Sequence, residues 1–183
     1  KNTVTTINNL PSDKVYILDQ LHDDLQDYPA IYQNFNKSIF NNLNSVKDQI
    51  KKYEKLVLVY SEDKQPHGMK TGFLRFCQEH NFSFDIIDNV KHNVVEKGNL
   101  YITPEDKSLL WIIKKMKKQG LIMIQDIGII SYNDTLLKEI IADGITTIST
   151  DFDKMGHRLA DMIKNKEHLK IENPNHLIIR NSI

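Results

Sequence analysis

The stretch Asp126-Ile-Gly-Ile-Ile-Ser-Tyr-Asn-Asp-Thr135 carries the clearest indication of the fold. Its apolar run ends in short polar residues after Tyr132, and a helical pattern at 136–142 leads to a second apolar run, Ile145-Thr-Thr-Ile148. A strand, a helix and a further strand in this order are typical of a parallel sheet with right-handed crossovers. The stretch therefore predicts an α/β fold.

The same alternation extends in both directions along the chain. Predicted strands cover residues 15–18, 30–32, 56–60, 82–87, 99–102, 126–132, 145–148 and 177–179. Predicted helices cover residues 36–53, 69–81, 104–120, 136–142 and 152–165. The continuous apolar run at 56–60 is typical of a strand with both faces covered. We therefore expect a parallel sheet flanked by helices.

The composition favours an ordinary globular protein. The 183 residues include 24 basic and 24 acidic side chains, which gives a formal net charge of zero, and 40% of the residues are hydrophobic. This balance argues against a disordered chain and against a compact nucleic-acid-binding domain. The sequence has no apolar run long enough to span a membrane, and the single cysteine, Cys77, excludes an internal disulfide. We expect a cytoplasmic protein.

The sequence offers no set of catalytic or metal-binding residues. It contains no G-x-G-x-x-G, P-loop or G-x-S-x-G motif, and its seven histidines are dispersed. No enzyme activity, cofactor or metal is therefore predicted. Only Arg75, Arg158 and Arg180 are arginines, so few side chains are suited to bidentate recognition of an anionic ligand.

Polar residues at the ends of the predicted strands are the candidates for ligand binding. In parallel sheets, ligands bind beyond the carboxyl ends of the strands. Short Asp and Asn side chains with aromatic rings nearby suit a polar molecule such as a sugar. Asp106 is the strongest single candidate, although Thr103-Pro-Glu-Asp106 also matches a helix-capping box. Both roles are compatible with its position.

The strand and turn at 126–135 are followed in order by Ile145-Thr-Thr-Ile-Ser-Thr-Asp-Phe152, Met155-Gly156 and the ending Leu177-Ile-Ile-Arg-Asn-Ser182. This series of motifs resembles the effector domain of LacI-type regulators. Two upstream segments, Gly72-Phe73 and Tyr28-Pro-Ala-Ile-Tyr-Gln-Asn34, are also similar to family motifs. The residues in these motifs are most similar to those of the effector-domain variant that is fused behind a GntR-type winged helix in Bacteroides-like regulators. Some of these regulators are linked to sugar operons such as that of fucose.

The resemblance implies a periplasmic-binding-protein-like fold of two Rossmann-like lobes with a cleft between them and three crossover strands. The family's effector domains are longer, so we expect a fragment that holds mainly one lobe and part of the other. Residues 1–32 would end the first lobe, residues 33–149 would form the second lobe, and residues 150–183 would form the returning crossover and tail. The DNA-binding domain is expected outside this chain.

The resemblance also implies a set of effector-binding residues: Gln33, Phe35, Met69, Lys70, Asp106, Asn133 and Thr150. Met69 stands where the family has a ligand-binding arginine, which favours a neutral effector such as a sugar over an anion. Lys70 would replace that arginine only with a shifted geometry. For Asn133-Asp134, a turn with a helix cap and a direct effector contact both remain open.

The resemblance implies a regulator in which effector binding changes the DNA affinity of a separate winged-helix domain. It also places Leu109, Leu110 and Ile113 on a helix face used for homodimerisation, although a simple core role is equally compatible with their spacing. Two other functions stay open at this point. One is a solute-binding protein of a sugar transporter, and the other is a small α/β enzyme.

Overall fold

The structure is a computed structural model that describes residues 2–183; residue 1, the first of the predicted segment 1–32, lies outside it. In chain order the main elements are α1 (Asn2–Ile7), β1 (Ile17–Asp19), β2 (Ala30–Tyr32), α2 (Phe35–Ser45), α3 (Lys47–Ile50), β3 (Lys55–Val59), α4 (His67–Glu79), β4 (Phe84–Ile87), β5 (Asn99–Thr103), α5 (Asp106–Gln119), β6 (Gly128–Tyr132), α6 (Leu136–Ile140), β7 (Thr146–Thr150), α7 (Phe152–Asn165), β8 (Lys170–Glu172) and β9 (Asn175–Ile178). The chain forms two compact units. The smaller contains the residues up to Asn34 with Thr150–Asn175, and the larger contains Phe35–Ser149 with His176–Ile183.

The smaller unit is built on a parallel three-stranded sheet in the order β1-β2-β8. In the central strand, Ala30 pairs with Ile17 on one side and with Lys170 on the other. One cluster of buried side chains gathers around Ala30, and a second joins Ile31 to Met155 and Met162 of α7. Alternate residues of β2 therefore serve the two faces of this sheet.

The larger unit contains a six-stranded sheet in the order β4-β3-β5-β6-β7-β9. The ladders from β4 to β7 are all parallel. Leu56 and Leu58 pack with α2 and α4 on one face, whereas Val57 and Val59 pack with α5 on the other. Helices thus cover both faces of β3, as its unbroken apolar run predicts. The predicted α/β fold with a parallel sheet is confirmed.

Two predicted helix boundaries were wrong. The predicted helix 36–53 is divided into α2 and α3, and Val46 between them departs from helical geometry. The Ser45 hydroxyl donates to the Asn42 carbonyl at 2.7 Å, a local side-chain bond of the kind that competes with helix propagation. The capping box at Thr103 is also absent, because Thr103 pairs with Ser131 inside the sheet and α5 begins only at Asp106.

Candidate functional site

The carboxyl ends of β3, β5 and β6 lie at one edge of the larger sheet, because these strands are parallel and adjacent. The loops that follow them carry most of the predicted polar candidates. Asp106 opens α5 directly after β5, and Asn133 and Asp134 follow β6. We refer to this set of loops, together with the first turns of the helices that follow them, as the carboxyl edge.

A buried lysine organises the middle of the carboxyl edge. Lys138 of α6 is only 2% exposed, and its ammonium donates to the carbonyls of Tyr132 at 2.5 Å and Asn133 at 2.8 Å. It also forms an ion pair with Asp106 Oδ1 at 2.8 Å. An ammonium has three donors, so these acceptors use all of them. Asp106 and Asn133, predicted separately, are therefore joined through a residue that the sequence analysis did not identify.

The turn after β6 is as predicted. Asn133 adopts a left-handed conformation with φ of 57°, which asparagine tolerates better than most residues. Thr135 is the N-cap of α6, and its hydroxyl accepts from the Lys138 amide at 3.4 Å. Asn133 itself is exposed. The turn thus presents its side chain outward while the backbone carbonyls face Lys138.

Asp134 is held by the C-terminal segment of the chain. Arg180 binds it in a bidentate pair, with nitrogen–oxygen distances of 2.6 and 2.7 Å, and the Thr147 hydroxyl donates to it at 2.9 Å. These hydrogen bonds, the one from Arg180 first, lower the pKa of the Asp134 carboxyl. The two motif segments around Asp134 and Arg180 therefore meet in one ion pair. Through this pair, Asp134 attaches the turn after β6 to the C-terminal segment.

We predict that Asp134→Asn lowers stability at neutral pH by about 2 kcal/mol, the value of a charge-assisted hydrogen bond. A depressed native pKa contributes stability above the unfolded pKa of about 4, and that stability is lost as the pH falls through the native value. The stability difference between wild type and variant should therefore be largest at pH 7 and shrink below pH 4. Urea unfolding across this range measures it, with Asp63→Asn as an exposed control. A pH-independent difference would contradict the prediction.

The loop after β3 contributes further paired charges to the carboxyl edge. Lys64 Nζ lies 3.0 Å from Glu105 Oε1. Lys70 Nζ lies 2.7 Å from Glu62 Oε1 and 5.7 Å from the ring centre of Tyr60. The hydrogen bond with Glu62 raises the pKa of Lys70. Lys70 therefore lies at the carboxyl edge with its charge matched by a neighbouring carboxylate, and its effector contact stays a prediction.

A second group of predicted residues is brought together in the smaller unit. The Thr150 hydroxyl donates to Gln33 Oε1 at 2.7 Å, and Gln33 Nε2 donates in turn to Asp19 Oδ1. Asp19 has a φ of 74°, an uncommon backbone conformation that such side-chain bonds help to hold. Gln33 and Thr150 therefore belong to one hydrogen-bonded group that also contains Asp19, the last residue of β1.

Three predicted site or interface residues have side chains in the core. Met69 is 3% exposed and belongs to the buried cluster that also contains Tyr60 and Phe73. Leu109 and Ile113 are buried in the cluster on the α5 face of the sheet. Their burial favours a core role for these side chains, while the effector contact of Met69 and the dimer contacts of Leu109 and Ile113 stay predictions.

Two other predicted residues keep accessible surface. Leu110 is 45% exposed on α5 and remains a candidate for a dimer contact. Phe35, half-buried, packs against the core cluster around α2 and α4. Because part of the Phe35 side chain is accessible, its contact with the effector stays a prediction.

One known domain family matches most of the sequence. The pattern described as the periplasmic binding protein-like domain matches residues 51–183. This chain belongs to the periplasmic binding protein-like domain family. The match covers the sheet of the larger unit from β3 onwards, together with the returning segment that carries Arg180, and so contains the carboxyl edge.

Solved structures extend the likeness to nearly the whole of this periplasmic binding protein-like domain. A probable maltose operon transcriptional repressor of Staphylococcus aureus superposes with a TM-score of 0.77 at 16% identity, over 99% of this chain and 70% of that one. An Arthrobacter LacI family regulator in complex with lactose gives 0.72 at 12% identity, over 91% and 70%. An Escherichia coli LacI family sugar-binding regulator in complex with phosphate gives 0.73 at 10% identity, over 100% and 72%. At these identities the likeness concerns the fold.

Three further observations concern curated relatives, membrane-spanning helices and metal sites. No curated protein matches the sequence. Within residues 2–183, no helix has the length and apolar character needed to cross a membrane. Across the same residues, His, Cys, Asp and Glu side chains form no group of three that would suit a metal ion.

Proposed function

We propose that this periplasmic binding protein-like domain binds the effector of a bacterial transcriptional regulator, and that the effector is a neutral sugar. The proposal is supported by the fold that the chain shares with LacI family regulators, one of them in complex with lactose. Polar side chains at the carboxyl ends of parallel strands, where this class of sheet binds ligands, support it further.

The pairing of charges at the carboxyl edge is the observation that carries the choice of a neutral ligand. Three cations there have a carboxylate of this chain as partner: Lys64 with Glu105, Lys70 with Glu62 and Lys138 with Asp106. An anionic ligand would have to compete with these carboxylates. Sugar hydroxyls instead require acceptors, and Asp106, 53% exposed, offers its carboxylate to them.

In the proposed mechanism, effector binding changes the population of conformations of this domain and so the DNA affinity of a separate domain. That domain would be a GntR-type winged helix outside residues 1–183, as in Bacteroides-like regulators. The regulator would act in the cytoplasm as a homodimer, with Leu110 among its interface residues. Coupling of this kind needs differential ligand affinity for two states and no catalytic step.

We expect neutral sugars, and not sugar phosphates or inorganic phosphate, to raise the melting temperature of the protein. A ligand that binds only the folded state stabilises it by mass action. Asp106→Asn should weaken binding at least about tenfold, because a hydrogen bond to a charged acceptor contributes about 1.5–3 kcal/mol. Thermal-shift screening against glucose, galactose, maltose, lactose, sucrose, glucose 6-phosphate and phosphate measures the first effect, and calorimetric titration measures the second.

The matched control is Asp48→Asn, which changes another exposed aspartate paired with a lysine, Lys51, at 2.7 Å. Asp48 lies on α3 before β3, so it precedes the amino end of that strand, and its replacement should leave the affinity unchanged. Stabilisation by phosphate compounds only would contradict the neutral effector. A sugar that binds the full-length protein without altering its affinity for DNA would favour the solute-binding alternative.

A further inference from the structure

Lys138 is unusual because its charged group is almost wholly removed from water. Lysine is rarely fully buried, and an unpaired buried ammonium costs several kcal/mol. Here the cost is offset by three acceptors in contact, the carbonyls of Tyr132 and Asn133 and the carboxylate of Asp106. The side chain therefore has a defined geometry that a surface lysine lacks.

The three acceptors come from two different loops. Tyr132 and Asn133 belong to the turn between β6 and α6, whereas Asp106 is the first residue of α5 after β5. Lys138 lies on α6 and reaches back to both loops. Its ammonium thus fixes the position of the α5 start relative to the β6 turn.

Asp106 has a clear partner in Lys138 and no capping role to explain its presence. The N-cap of α5 is Glu105, and no side-chain bond caps this helix. The Asp106 carboxylate has its Oδ1 turned to the buried ammonium while about half of the side chain remains exposed. One part of the group is anchored inside, and another part faces solvent.

We propose that Lys138 is a positioning residue of the effector site: it holds the Asp106 carboxylate in one orientation, so that the exposed part of the carboxylate accepts hydrogen bonds from ligand hydroxyls. This inference rests on the proposed function and deepens it. Lys138 does not touch the ligand. Because its ammonium is already surrounded by acceptors of the protein, it compensates the charge of Asp106 without attracting an anion.

A purely structural role for Lys138 makes a different prediction. If the lysine only held the β6 turn through its two carbonyls, removing it would lower stability but leave the affinity of the folded protein for a sugar unchanged. If Lys138 instead positions Asp106, both residues affect ligand affinity through the Asp106 carboxylate. Their effects on affinity would then be non-additive, as expected for residues in contact.

The test uses Lys138→Met, which keeps a long apolar stem and removes the ammonium, together with Asp106→Asn and the double variant. Titration with the neutral sugar that most stabilises the wild type in the panel above is carried out well below each melting temperature. We expect each single variant to bind at least about tenfold more weakly and the double variant to bind no more weakly than either. The matched cycle of Lys51→Met and Asp48→Asn should leave the affinity within about twofold of the wild type.

Each outcome decides the proposal. Wild-type affinity in a folded Lys138→Met protein overturns the positioning role while leaving the proposed function intact. Additive losses from the two edge variants also overturn it. If Lys138→Met does not fold, Lys138→Gln, which keeps neutral amide donors, is titrated in its place and judged by the same criteria. A wild type that binds no sugar in the panel contradicts the proposed function and this inference together.

Discussion

Gly72→Ala is expected to lower the free energy of unfolding by about 3 kcal/mol, at the upper end for overpacking in a core. Gly72 lies on α4 where this helix crosses α2. A Cβ at this position would lie 2.2 Å from the carbonyl oxygen of Asn36 and 2.6 Å from Cγ2 of Ile39. A change of rotamer does not relieve a clash with a backbone carbonyl, so the two helices would have to separate.

Helix separation is costly because it opens the core of the larger unit. Ile39 and Phe73 are fully buried in the cluster between these helices and the sheet. Well-packed interiors have few voids to absorb a displaced group. Urea unfolding followed by fluorescence of Trp111, the single tryptophan and part of the larger unit, should show a lower midpoint.

The control for this prediction is Gly156→Ala in α7. A Cβ at Gly156 meets no atom within 4 Å, so it causes no clash. Alanine is the better helix former, and this variant should be more stable than wild type by about 0.5–1 kcal/mol. Circular dichroism during unfolding compares both variants. If both variants changed the free energy of unfolding equally and in the same direction, close packing between α2 and α4 would not be the cause of the Gly72→Ala effect.

Ser182→Ala is expected to lower the free energy of unfolding by about 2–4 kcal/mol, because it leaves two buried backbone groups without a partner. Ser182 is fully buried. Its hydroxyl accepts from the Thr146 amide at 2.8 Å and donates to the Ile129 carbonyl at 2.6 Å. One side chain therefore connects β6 and β7 near their amino ends.

The C-terminal segment is also attached by its backbone, since the Ile129 amide donates to the Ser182 carbonyl at 2.7 Å. This bond should survive the substitution, so the segment should stay in place while stability falls. Asn181→Ala is the neighbouring control. Asn181 is exposed and donates to the Asp143 carbonyl at 2.9 Å, so its loss should cost at most about 1 kcal/mol. A stability loss as large in Asn181→Ala would contradict a specific role for Ser182.

The predicted strands and helices depend on local features that a sequence displays directly. The run at 56–60 has no charged side chain, and the structure buries all five residues. Gly120 ends α5 in a left-handed conformation with φ of 69°, as a glycine after the last helical residue predicts. The boundaries at Val46 and Thr103 were missed because a local hydroxyl bond and a strand pairing override helix signals there.

The candidate site was predicted less completely, since its geometry depends on contacts far apart in sequence. Asp106 and Asn133 were identified from their places after strands, and Thr150 and Gln33 from the resemblance. Their partners were not predicted. A sequence signal existed for Lys138, because it lies near the start of the helix after the Asn-Asp-Thr turn, but lysine is ordinarily placed on the surface.

The sequence alone determined the α/β alternation, the places where strands end and the identity of the polar residues there, because these follow from hydrophobic periodicity and local turn chemistry. Only the tertiary structure decided how those residues are used. It buried Met69, placed the ammonium of Lys138 against Asp106 and joined Asp134 to Arg180 across 46 positions of chain. Burial and ion pairing depend on which surfaces meet in space, and parallel strands bring together loops that no local pattern connects.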